Sequence, residues 1–108
     1  EEKIRRTEAE RILKCIKQGA YIITLEIQGR MPDSVELAGE IEKIGISGNG
    51  DIQFVIGGSL GLHGSVTAMA DMHLSFSKMT FPHQLMRVIL LEQLYRSYRI
   101  IHHEPYHK

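Results

Sequence analysis

Apolar positions along the chain switch between a helical spacing and short continuous runs. In EEKIRRTEAERILKCIKQ (1–18), Ile4, Ile12, Leu13 and Ile16 fall on one helical stripe with charges around them, and Gly19 is placed as a C-terminal stop. YIITLEI (21–27) is short, β-rich and mostly apolar, which predicts a buried strand. MPDSVELAGEIEKIG (31–45) returns to helix, with Asp33 as N-cap and Glu36 three residues later in capping-box spacing. The turn-rich GISGNGD (45–51) then leads to a second buried strand, IQFVI (52–56). A glycine loop, GGSLGLHGS (57–65), precedes a short helix over VTAMADM. HLSFS (73–77) reads as a third strand, and KMTFP leads into a last helix over about 82–101.

Strands alternating with helices predict parallel βα units. The expected class is α/β, a mostly parallel sheet with helices on both faces, as one domain over residues 1–108. The last helix carries more than this architecture can cover. Leu85, Met86, Val88, Ile89, Leu90, Leu91, Leu94, Tyr95, Tyr98, Ile100 and Ile101 occupy almost every side of it, where a surface helix needs a single apolar stripe. A homodimer with this helix in the interface is the expected cover.

Composition changes this picture little. Hydrophobic residues make up 43% and charged residues 24%, and thirteen basic residues cancel thirteen acidic ones, so no overall field attracts nucleic acid. The distribution is uneven, however. Residues 78–108 hold five basic side chains (Lys78, Arg87, Arg96, Arg99, Lys108) against Glu92 and Glu104, plus four of the six histidines, which suits an anionic partner. The single cysteine, Cys15, excludes an internal disulfide and fits a reducing cytoplasm, and it is expected to pack as a small hydrophobe. No apolar run approaches ~18 residues and no charged-then-apolar leader opens the chain, so neither a membrane span nor a signal peptide is expected.

Two motifs spell familiar chemistry and fail on physics. HEPYH (103–107) has the letters of a zinc-protease helix, but Pro105 inside the required turn costs ~3 kcal/mol in a helix, so an extended or turned tail without metal is expected. Gly57-Gly58-Ser59-Leu60-Gly61 spells the G-x-S-x-G of a nucleophile elbow, yet LGLHGS delays the helix that an elbow needs at once. A hydrolase using Ser59 is thus a remote third reading. As a phosphate cradle the loop is weak, lacking a following Lys-Ser/Thr. What survives is placement: Gly29, the glycines at 57–61 and SKMTFP all lie at carboxyl ends of strands, the edge where open α/β sheets bind small ligands.

FVIGGSLGL, LSFSKMTFPHQLMRVILLEQLYR and the terminal EPYHK, in that order, resemble the RlmH family. These are SPOUT-class methyltransferases acting on N3 of a pseudouridine in large-subunit (23S) ribosomal RNA. The similarity runs from the ERIL helix through TLEIQG to the last residue, although family members begin earlier, with a strand–helix–strand segment that this chain lacks. The resemblance implies a C-terminal trefoil knot that holds S-adenosylmethionine, an exception to un-knotted topology. It assigns the donor to Leu25, Gly57 and the run Phe76, Ser77, Lys78, Met79, Thr80 and Phe81. It also implies a homodimer through the last helix, with ribosomal RNA on the large subunit or whole ribosome docked across it.

Within that frame the tail gains a use. His107 is expected to accept a proton and Tyr106 to stack on or hydrogen-bond the target base, so both are candidate catalytic residues. Arg87, Arg96, Arg99 and Lys108 are expected to meet RNA phosphates, or the first two to pair with acids across the dimer. His83 caps or packs at the helix start, and His63, His73, His102 and His103 receive no role. The competing function is a non-catalytic RNA- or ribosome-binding dimer on the same fold.

Overall fold

A computed structural model describes residues 1–48, 50–57 and 61–106. The elements are α1 (Glu2–Cys15), β1 (Tyr21–Arg30), α2 (Ser34–Ile46), β2 (Ile52–Ile56), α3 (Gly64–Thr67), β3 (Met72–Leu74) and α4 (His83–Ile101). The strands form one sheet in the order β2-β1-β3, and both pairings of the central strand are parallel. Successive side chains of β1 face opposite sides, so each face gathers its own core. Ile23, Met72 and Leu74 pack with Leu37, Ile41 and Ile44 of α2, bordered by Leu94 and Ile101 of α4. On the other face, Ile22 and Val55 meet Ala9 of α1 and Val66 of α3. The expected α/β arrangement, with helices on both faces, is what the chain adopts.

Local chemistry sets most boundaries, and long-range contacts set the rest. The capping box of α2 is complete: Glu36 N–H donates to Asp33 Oδ1 (2.7 Å) and Asp33 N–H donates to Glu36 Oε1 (2.8 Å). By contrast, α1 ends at Cys15, before the predicted stop at Gly19. Gln53 of β2 accepts from Lys17 N–H (2.6 Å) and donates from Nε2 to the Cys15 carbonyl (3.0 Å), closing the helix from across the fold. Gly19, at φ 87°, serves the turn into β1 instead. The short helix sits earlier than predicted because His63 caps it, Nδ1 accepting from Ser65 N–H at 3.1 Å.

The third strand is shorter than the predicted 73–77. Beyond Leu25, β1 bends across the end of β3, and its Arg30 carbonyl takes the Ser75 N–H at 2.7 Å. The crossing is close: a Cβ on Gly29 would lie 2.8 Å from backbone atoms of His73 and Leu74, so only glycine passes there. Ser75 to Ser77 therefore leave the sheet. Their hydroxyls hold the following turn, with Ser75 Oγ donating to the Ser77 carbonyl (2.9 Å) and Ser77 Oγ accepting from Met79 N–H (2.9 Å).

Among the described residues of α4, only Leu90 and Ser97 are fully buried. Leu85, Val88, Leu91, Tyr95 and Tyr98 stand 45–63% exposed, at spacings that align them along one side of the helix. No helix among the described residues is long and apolar enough to cross a membrane.

Candidate functional site

The carboxyl ends of the three strands open into one cleft of about 900 Å³. Its walls are Leu25 to Gln28 of β1, beyond the stretch paired with β2, Ile56 and Gly57 at the end of β2, and Leu74 to Ser77 at the end of β3. Met79 to His83 and Met86 close it from the start of α4. Of the eight residues expected to hold the donor, the cleft brings together Leu25, Gly57, Phe76, Ser77, Met79, Thr80 and Phe81; Lys78 is exposed and does not line it. The volume lies within the range of small-ligand sites, and apolar walls with few polar groups suit a heterocycle.

Glycine shapes the floor. A Cβ on Gly57 would lie 2.9 Å from both the Gly61 carbonyl carbon and Leu62 Cγ, so any larger residue would fill this cradle. The loop is tied to α4 as well. Nδ1 of His83 donates to the Gly57 carbonyl at 2.9 Å, joining the end of β2 to the first residue of the helix.

Two charged residues missed by sequence reasoning also line the cleft. Arg5 reaches it from α1 and keeps Nε buried, without a hydrogen-bond partner among the described residues, while its Nη2 pairs with Glu2 at 2.8 Å. Glu26 Oε2 is held by the fully buried Thr24 hydroxyl at 2.6 Å and by His73 Nδ1. No local pattern marks either residue, since both reach the site through tertiary packing. Nucleoside-sized volume, a glycine cradle and an unpartnered guanidinium nitrogen on the wall fit a donor that joins a heterocycle to an anionic end.

The tail lies elsewhere on the same chain. After α4, residues 102–106 form turns, with His103 in the left-handed region at φ 57°. Tyr106 folds back on α4: its hydroxyl donates to Glu92 Oε2 (2.9 Å) and its ring meets Tyr95 edge-on at 5.0 Å. The Arg96 guanidinium sits 4.8 Å above the Tyr106 ring and donates to both oxygens of Glu92 (3.1 and 3.0 Å). The hydrogen bond to Glu92 raises the Tyr106 phenol above its ordinary range and likewise holds the Arg96 proton more tightly. Glu92 and Arg96 lie about 9–15 Å along the helix from Met86 at the cleft, so one chain does not bring Tyr106 to its own cleft.

Arg96 is thus engaged within the chain, while Arg87 is exposed one residue beyond Met86. His107, Lys108 and Ser59 lie outside the described residues. Among the described residues, no group of three or more His, Cys, Asp or Glu could hold a metal ion.

Comparison with known proteins bears on this geometry. The profile of the family described as "Predicted SPOUT methyltransferase" matches residues 1–107. A Methanococcus maripaludis protein, provisionally named ribosomal RNA large subunit methyltransferase H, is 61% identical over 106 residues, covering 98% of this chain and 67% of the relative. "Ribosomal RNA large subunit methyltransferase H" of Alkaliphilus oremlandii is 55% identical over 108 residues, covering 100% and 68%. Its namesake in Bifidobacterium animalis subsp. lactis is 57% identical over 105 residues, covering 97% and 66%. The chain therefore spans about two thirds of the length of these relatives.

Proposed function

The chain belongs to the SPOUT methyltransferase family, and from that premise we propose that it methylates N3 of a pseudouridine in large-subunit ribosomal RNA with S-adenosylmethionine as donor. The observation that carries this reading is the cleft, where seven residues assigned to the donor from three separate strand ends share one nucleoside-sized space. Bound there, the donor supplies an electrophilic methyl group on a sulfonium.

The protein's own part is chiefly positioning, which alone removes much of a transfer barrier. Phe76, Met79 and Phe81 would wall the purine, while Leu25 and Gly57 let backbone approach it. The acceptor nitrogen carries a proton, so a base must take it. His107 is one candidate, and Tyr106 would stack on the target base. The bend of β1 over the end of β3, tied by Arg30 to Ser75, is consistent with the threaded connection of a trefoil knot.

The exposed face of α4 belongs to a two-fold homodimer in this reading. A self-complementary antiparallel pairing centred near Leu91 sets Leu85 against Tyr98 and Val88 against Tyr95 of the partner subunit. Such a pairing carries each tail toward the other subunit's cleft. Arg87 and Lys108 then serve RNA phosphate, making binding salt-dependent, and Arg96 contributes through Tyr106.

Calorimetric titration of the full-length protein with S-adenosylhomocysteine tests the reading, with micromolar-range binding expected. A folded dimer that gives no heat would overturn it in favour of a non-catalytic RNA-binding role. Deleting residues 104–108 is expected to abolish methylation of ribosomes with donor affinity nearly unchanged; equal loss of both would remove the tail from the chemistry.

A further inference from the structure

His83 is the first residue of α4, and among the described residues its ring makes one hydrogen bond. Nδ1 lies 2.9 Å from the Gly57 carbonyl oxygen. A carbonyl can only accept, so Nδ1 must carry hydrogen. In the neutral ring the lone pair then sits on Nε2. Among the described residues Nε2 makes no hydrogen bond, and His83 is an exposed part of the cleft wall. A backbone carbonyl thereby fixes the tautomer, as a buried carboxylate does for the base of a serine protease.

We propose that His83 is the proton acceptor of this site: Nε2 takes the proton from the ring nitrogen that is to be methylated. This rests on the methyltransferase reading above. The N–H bond of the acceptor breaks and an H–Nε2 bond forms. The electron pair stays on the acceptor nitrogen, which becomes the nucleophile, and the resulting imidazolium releases its extra proton to solvent.

The neighbouring groups leave His83 the best placed. Among the described residues, Arg5 and Glu26 are the charged side chains on the cleft wall besides His83, and Arg87 lies one turn further along α4. Arginine stays protonated. Glu26 has one oxygen committed to both Thr24 and His73. Tyr106, next to His107, is clamped to Glu92 on the far part of α4 and could serve only a partner's cleft. His83 is already within its own.

A His83→Gln variant of the full-length protein separates positioning from proton transfer. The glutamine amide can still donate to the Gly57 carbonyl but offers no basic nitrogen. Expected are S-adenosylhomocysteine affinity within about threefold of the parent and single-turnover methyl transfer to ribosomes at least ~100-fold slower, the lower range for a lost general base. Added imidazole should restore part of the rate to His83→Ala. Independently of activity, nitrogen-15 NMR of the donor-free parent should show the neutral His83 ring with hydrogen on Nδ1.

Parental transfer by His83→Gln, or a ring protonated on Nε2 alone, overturns the assignment. So does a loss seen in His107→Gln and absent from His83→Gln, which moves the acceptor to the tail. A parent that neither binds S-adenosylhomocysteine nor transfers methyl fails at the earlier step and takes the methyltransferase reading down with it.

Discussion

Gly29→Ala tests the closest backbone crossing described in the fold. The new methyl carbon would lie 2.8 Å from the carbonyl carbons of His73 and Leu74 and from the Leu74 nitrogen, all of them backbone atoms that cannot rotate away. Ordinary contact begins at 3.4 Å, so β1 must retreat by 0.6 Å (3.4 minus 2.8). The neighbouring hydrogen bond from Ser75 N–H to the Arg30 carbonyl, now 2.7 Å, would stretch toward its limit. Overpacking costs about 1–3 kcal/mol and a weakened backbone bond about 0.5–1.5 more, giving roughly 2–4 kcal/mol. That is a large share of the stability of a domain this size. At a typical urea m-value, the unfolding midpoint should fall by about 1–3 M. Gly39→Ala is the control: it lies at an exposed position of α2 with nothing within 4 Å of a Cβ, and alanine there should be neutral or stabilising by up to about 1 kcal/mol. An unchanged midpoint for Gly29→Ala, or equal destabilisation by both variants, would refute the crossing geometry.

Three further outcomes are expected. Gly57→Ala fills the cradle against Gly61 and Leu62, so S-adenosylhomocysteine affinity should drop by about tenfold or more, measured by calorimetry, with a smaller stability loss because Leu62 can shift. Leu91→Glu sets like charges against each other at the centre of the proposed two-fold, and analytical ultracentrifugation should find monomer; a persistent dimer would place the interface elsewhere. For Tyr106, ionisation breaks the bond to Glu92 and sets two negative charges together, so the folded-state pKa is raised. The tail's hold on α4 is therefore present below the ordinary phenol value of 10.0 and is lost as pH rises through the higher folded value. Ultraviolet phenolate titration should show a late component that Tyr106→Phe deletes and Glu92→Gln moves downward; a component unmoved by Glu92→Gln would refute this cause.

Legibility in the sequence tracks the range of the interaction concerned. Asp33 and Glu36 are three residues apart, and their reciprocal bonds were readable from spacing alone. The alternation of apolar runs located all three strands, because burial on both faces selects such runs wherever they occur. The end of β3 was not readable. HLSFS continues to look like strand past Leu74, but Gly29 and Arg30, more than forty residues earlier, claim the next amide and turn the chain out of the sheet. The end of α1 was hidden for the same reason, since its cap comes from Gln53. At the cleft, strand placement pointed to the glycines after β2 and to SKMTFP after β3, whereas Gly29 lies within β1 and outside the cleft; resemblance to a known family supplied the individual residues. Neither supplied Arg5 or Glu26, whose place depends on how α1 and the bend of β1 pack.

The cleft and the tail sit at opposite ends of α4, and in the proposed homodimer this separation would account for the apolar face that the helix leaves exposed. His83 and Met86 border the cleft, while Tyr95 supports Tyr106. From His83 to Tyr95 the helix rises about 18 Å, too far for the two ends to cooperate within one subunit. In the antiparallel pairing proposed for Leu85, Val88, Leu91, Tyr95 and Tyr98, Tyr95 of one subunit falls beside the other subunit's Val88, half a turn past Met86. The distance that separates tail from cleft within a chain is then the offset that joins them between chains. The clamp of Glu92 and Arg96 on Tyr106 gains a reason as well. In the proposed reading it presents the tail in a fixed direction, so that order already present in the monomer would not have to be created on binding an RNA base.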